Sequence, residues 1–125
     1  MDLKFLLFSF QGRIGRLQYF LAALGAGAAG GLVMLPLLAF VLLSRHSPLA
    51  LLFAGALAFT LSVAMMWVGL ALQIKRIQDR DRNWYFIFVS LIPFVGPVWL
   101  AIETYFIRGT VGDNRFGPDP LASRP

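Results

Sequence analysis

The chain has 125 residues, of which 58% are hydrophobic and 14% charged, and its 11 Lys and Arg outweigh 6 Asp and Glu. Soluble domains run at roughly 45–50% apolar and about 25% charged, so this balance argues against a water-soluble globule. The absence of cysteine excludes disulfides, thiolate metal sites and cysteine nucleophiles, and one histidine, His46, argues against a histidine-built metal centre.

The charges are not spread evenly. No Asp, Glu, Lys or Arg occurs in the 28 residues between Arg16 and Arg45, the 29 between Arg45 and Lys75, or the 20 between Arg82 and Glu103. Each gap reaches the roughly 20 residues that carry a helix across about 30 Å of hydrocarbon. The basic residues stand at the ends of these runs, where they meet anionic headgroups and set orientation. That placement argues against nucleic acid as a partner.

In chain order, residues 1–16 form a short interfacial segment, with Phe5, Phe8 and Phe10 toward acyl chains and Lys4, Arg13 and Arg16 toward headgroups. Lys4 precedes only the short run Phe5 to Phe8 and no small-x-small pattern follows, so a cleaved signal is not expected. The first span runs from Leu17 to Leu43, entered through Tyr19 and Phe20. Its middle is rich in Gly and Ala: Gly27 and Gly31 make a GxxxG pair, and Ala22, Ala26 and Gly30 repeat the spacing on a neighbouring stripe. Small residues let helices approach closely enough for backbone contact to hold them together in lipid. Pro36 is expected to kink this helix.

A polar break from Ser44 to Pro48 leads to a second span, Leu49 to Gln73, antiparallel to the first. Here Ala54, Ala58 and Ser62 recur every four residues and offer a surface to receive the glycine face. The third apolar segment, Trp84 to Ile107, is interrupted by Pro93, Gly96 and Pro97. Either it spans with a kink, or it dips in and returns as two half-helices. Residues 108–125 are a turn-rich tail. The whole is one all-α integral membrane domain of three hydrophobic helical segments.

Three polar clusters gather most of the charge: Gly12-Arg13-Ile14-Gly15-Arg16, Lys75 to Arg82, and Gly112 to Pro120. They resemble the signatures of domain-of-unknown-function family 805, small bacterial inner-membrane proteins. Phe10 to Phe20 is similar to an N-terminal Phe-x-Gly-Arg-x-x-Arg-x-x-Tyr pattern, Arg76-Ile77-Gln78-Asp79 to a central Arg-Leu-His-Asp stretch, and Asn114-Arg115-Phe116-Gly117-Pro118-Asp119-Pro120 to the C-terminal phrase. The resemblance runs from Phe10 to Pro120 and implies an inner-membrane protein without an established activity. Gln78 replaces the family's common His, and Gln18 a common acid, so no role tied to that histidine carries over.

Physically, Gly-Arg beside a span combines a tight turn with a guanidinium fork suited to phosphate or carboxylate. Asp79 and Asp81 sit among four cations and are expected to be paired rather than catalytic. Anchoring and loop structure account for all three clusters; the sharper reading is that Arg13, Arg16, Arg76, Asp79, Arg115 and Asp119 converge into one polar site for a headgroup or other anion. Three full spans would place seven basic residues on one side and four on the other, whereas a re-entrant third segment would place ten against one. Three spans with a cytoplasmic N-terminus are the expectation. Glu103, twenty residues beyond Asn83, would then lie at the opposite interface.

These features point to a structural, lipid-interacting or accessory membrane subunit, neither an enzyme nor a cofactor protein, with lipids and a second copy or another membrane protein as partners. The alternative is a small transporter or channel subunit using Glu103 or a conduit along Gly27 and Gly31.

Overall fold

The computed structural model describes residues 2–44 and 47–122, so His46 lies outside the described residues. Among the described residues there are four α-helices: α1 (Leu3–Phe8), α2 (Arg16–Leu43), α3 (Pro48–Asp79) and α4 (Val95–Ala101). A 3₁₀ helix, Trp84–Leu91, precedes α4, and a π-helical turn, Ile102–Phe106, follows it. The described fold is all-helical.

Among the described residues, helices α2 and α3 are the two elements long and apolar enough to cross a membrane. At 28 and 32 residues they extend roughly 42 and 48 Å, longer than a hydrocarbon layer of about 30 Å. Their starts are written locally. The Gln18 side chain accepts the Gly15 N–H at 3.0 Å, and the Ser47 hydroxyl accepts the Ala50 N–H at 3.3 Å ahead of Pro48 in the first turn. Pro36 does not interrupt α2, which continues to Leu43.

The seam between these helices follows alternating steps of three and four residues. On α3 the less exposed positions are Leu51, Ala54, Ala58, Leu61, Met65, Val68 and Leu72, the period of left-handed helix packing. Ala54 is buried and Ala58 half-buried. On α2 it is the Ala26–Gly30 stripe that serves: a Cβ on Gly30 would sit 2.7 Å from the Met65 side chain. Gly27 and Gly31 have nothing within 4 Å of such a position, so the GxxxG pair lies outside the α2–α3 contact. Four-residue spacing recurs on two adjacent stripes, and only the partner helix selects between them.

The third apolar segment forms no single helix. Its 3₁₀ half extends roughly 16 Å and the continuous stretch of α4 and the π turn roughly 18 Å, each far short of a bilayer core. Between them Pro93 ends one half and Phe94, at φ 63°, turns the chain into α4. Gly96 permits the fold-back, because a side chain there would collide with the Val89 carbonyl. The segment leaves from the C-terminal end of α3 and returns to it: the Thr110 N–H donates to the Asp79 carbonyl at 2.8 Å.

Candidate functional site

The site begins as a problem of helix ends. The last carbonyls of a helix have no partner within it and need donors from elsewhere. At the end of α3 the Thr110 amide meets the Asp79 carbonyl and the Asn114 side chain donates to the Gln78 carbonyl at 3.0 Å. Both donors come from the segment after Arg108, which is thereby fixed over α3. The short α1 is closed similarly: Lys75, fully buried, donates to the Phe5 and Leu6 carbonyls and lies 4.8 Å from the centre of the Phe5 ring. A cation at a helix C-terminus is favoured by the helix dipole.

Asp79 is the centre of this end of the molecule. Its carboxylate accepts from Arg13 Nε at 3.1 Å and pairs with Arg76 Nη1, and all three side chains are almost wholly buried. Arg13 also donates to the carbonyls of Thr110 (2.6 Å), Gly112 (2.7 Å) and Gly117 (3.2 Å). Arg76 donates to those of Thr104 (2.8 Å) and Ile107 (2.5 Å). One carboxylate thus serves two guanidiniums, and five backbone carbonyls supply the remaining negative potential. Burying charge is tolerable only with such complete pairing.

A second knot lies beside it. Glu103 accepts from Arg80 at 2.8 Å, from Arg82 at 3.2 Å and from the Trp99 indole at 3.4 Å, tying the π turn to the α3 end. A relay from the Tyr19 hydroxyl to Gln73 (2.7 Å) and from Gln73 to the Thr104 hydroxyl (2.8 Å) joins both long helices to the same turn.

The six residues expected to converge occupy different depths. Arg13, Arg76 and Asp79 form the buried core. Arg16 is exposed and donates to the Phe106 carbonyl at 2.8 Å, while Arg115, also exposed, pairs with Asp81 at 3.1 Å. Asp119 organises the tail internally, accepting from the Gly112 amide at 3.0 Å and the Leu121 amide at 2.9 Å. Arg13 was expected to face headgroups; instead its donors are turned inward onto protein acceptors. The cations within reach of a ligand are those at the rim. Lys75, Gln73 and Thr104 were not singled out as site residues, although isolated polar residues within apolar runs were the available signal.

The backbone bonds from Leu121 and Gly112 hold the Asp119 carboxyl below the usual carboxylate range. A depressed folded-state pKa contributes stability that is present above the unfolded value, about 3.9, and is lost as pH falls through the folded one. Asp119→Asn should therefore lower the thermal midpoint at pH 7 and differ progressively less from wild type below about pH 4. A pH series of melting curves on both proteins checks this; a gap independent of pH would contradict it.

The family described as "Protein of unknown function (DUF805)" matches residues 7–118. The chain belongs to this family. The chain is 47% identical over 51 residues to "Inner membrane protein YhaH" of Escherichia coli (strain K12), covering 40% of this chain and 40% of that protein. It is 42% identical over 52 residues to "Inner membrane protein YhaI" of the same strain, covering 41% and 42%. Over 143 aligned residues it is 28% identical to "Uncharacterized protein YiiR", covering 95% and 90%. The matches to the first two thus span well under half of those relatives' length. No solved structure matches the chain.

Proposed function

We propose that this DUF805 protein resides in the bacterial inner membrane, crosses it with α2 and α3, and holds α1, the folded-back third segment and the tail on the cytoplasmic side. In this reading it is a structural, lipid-interacting or accessory subunit without enzymatic activity. The observation that carries it is charge placement. Every described Lys and Arg, from Lys4 to Arg115, lies at the end where α2 begins and α3 finishes. Positive residues near span ends favour the cytoplasm. Two spans with a re-entrant or interfacial hairpin fit this distribution better than three spans, which would carry Arg108 and Arg115 across.

The names of the relatives and the lipid-ready surfaces of α2 and α3 support the membrane assignment. Trp84 and Tyr85 suit the headgroup boundary, and Arg16 and Arg115 offer cations there. The carboxylates of Asp79 and Glu103 are each held by two guanidiniums, an arrangement suited to structure rather than to proton transfer or solute coupling. The open Gly27–Gly31 face is where a second copy or another membrane protein would pack.

Because the chain has no cysteine, single cysteines can be introduced directly. Variants at Ser9, Ser47 and Asp113, probed with a membrane-impermeant thiol reagent in intact cells and inverted vesicles, test the topology. Ser9→Cys and Asp113→Cys should react only from the cytoplasmic side and Ser47→Cys only from outside. Labelling of Asp113→Cys from the side opposite Ser9→Cys would end the reading.

A further inference from the structure

The hairpin of the third apolar segment has a surface that no other described residue covers. Every residue from Leu91 to Trp99 except Gly96 is exposed, and the 20 residues between Arg82 and Glu103 carry no charge. The two limbs pack on each other, with the Phe86 and Trp99 rings 5.9 Å apart, and Leu91, Phe94, Val95 and Val98 point outward from both. A protein interface is a single patch with a polar rim, whereas here the apolar surface surrounds the tip.

Two features of the tip fit a hydrocarbon surrounding. Phe94 holds φ 63°, a conformation that glycine takes freely and a bulky side chain rarely does, yet its ring is 89% exposed and gains little packing from the protein. Such strain persists where the residue serves an outward contact. The tip is also poor in free donors, the groups that bar a turn from hydrocarbon. Of residues 92–97, Pro93 and Pro97 have no N–H, and those of Ile92, Val95 and Gly96 donate to the carbonyls of Val89 (3.0 Å), Pro93 (2.7 Å) and Ile92 (3.0 Å). The Ser90 hydroxyl donates to the Ile87 carbonyl at 2.8 Å.

The base of the hairpin is the opposite in character. Arg80 and Arg82 pair there with Glu103, Arg108 is exposed, and Trp84 and Tyr85 stand where the outgoing limb begins. Cations and aromatic rings suit the headgroup level of an anionic leaflet. The limbs, roughly 16 and 18 Å long, match one leaflet of a hydrocarbon core about 30 Å thick.

We propose that this hairpin is a wedge inserted into the acyl chains of the cytoplasmic leaflet, with Phe94 at its deepest point and Trp84, Tyr85 and Arg108 at the headgroups, and that it does not cross. Its partner is the hydrocarbon of one leaflet. The proposal rests on the two-span reading, which puts the base of the hairpin on the cytoplasmic side, and adds its depth.

The test places single spin labels on the full chain in liposomes, at the tip through Leu91→Cys and Phe94→Cys and at the base through Asn83→Cys and Arg108→Cys. Accessibility to oxygen, which concentrates in hydrocarbon, is compared with accessibility to a water-soluble nickel chelate. The tip labels should favour oxygen and lie roughly 10 Å or more deeper than the base labels, which should favour nickel. Leu91→Cys keeps the test decisive if Phe94→Cys disturbs the turn. Adding Phe94→Asp should raise nickel access at the Leu91 label several-fold, because a carboxylate is driven out of hydrocarbon; an unchanged label would count against lipid as what holds the tip. Tip labels open to nickel mean a hairpin in water, and tip labels closed to both reagents mean a protein cover such as a second copy; either overturns the proposal. If Asp113→Cys still reacts from the cytoplasmic side in those cases, the two-span reading stands without the wedge. Reaction of Phe94→Cys with an impermeant thiol reagent from outside intact cells would mean that the segment crosses, and would remove both.

Discussion

Asp79→Asn is expected to be among the most damaging single substitutions in this chain, costing about 3–5 kcal/mol of stability, the usual penalty for removing one member of a buried ion network. The asparagine keeps the shape of the side chain but removes the one carboxylate that, among the described residues, contacts Arg13 and Arg76, leaving two buried guanidiniums facing carbonyl dipoles. Arginine does not relieve this by losing its proton. The loss should reach beyond α3, because Arg13 also holds Thr110, Gly112 and Gly117, so the tail should become protease-sensitive together with the drop in thermal midpoint. Equilibrium unfolding in mixed micelles with limited proteolysis reads both effects. A loss below about 1 kcal/mol would show that the carbonyls suffice and that Asp79 is not the centre of the site.

Gly109→Ala should also be strongly destabilising. A methyl group on this residue would occupy the space now filled by the Asp79 carboxylate. A flexible neighbour could yield, but this one is fixed by Arg13 and Arg76 on one side and by the helix end on the other. Relief requires either separating the ion network or lifting residues 109–112 off α3, which would break the Thr110 bond to the Asp79 carbonyl. Overpacking of this kind typically costs about 1–3 kcal/mol. The two substitutions act on one contact, so the double variant should fall well short of the sum of the singles. Full additivity in that cycle would mean that Gly109 matters for some reason other than its approach to Asp79.

Much of this architecture was legible in the chain. The charge-free runs after Arg16 and after Arg45 announced α2 and α3, because an unbroken apolar run of that length satisfies its own backbone as a helix. Pro93, Gly96 and Pro97 announced that the third run would be interrupted, and the grouping of Asp79 and Asp81 with arginines announced pairing. Family membership was legible too, since its phrases are contiguous. The pairing partners were not. Asp79 reaches back to Arg13 and Asp81 forward to Arg115, across separations that local charge counting does not register.

The amino-acid sequence by itself therefore determined the class of protein, the two long helices and the break in the third segment, because hydropathy, proline and charge act over a few turns of chain. Tertiary structure decided which small-residue stripe of α2 meets α3, placing Gly30 against Met65 and leaving Gly27 open. It also decided that residues 80–110 leave the end of α3 and return to it, which brings three distant polar phrases together. The cause is the need for partners at buried helix ends and around buried charge: Arg13, Arg76 and the last carbonyls of α3 are satisfied by groups from residues 103–117, a requirement that appears only once the helices are packed. The opening excess of basic residues thus divides into a buried part, Arg13, Lys75 and Arg76, which fastens the fold, and a more exposed part that includes Lys4, Arg16, Arg108 and Arg115.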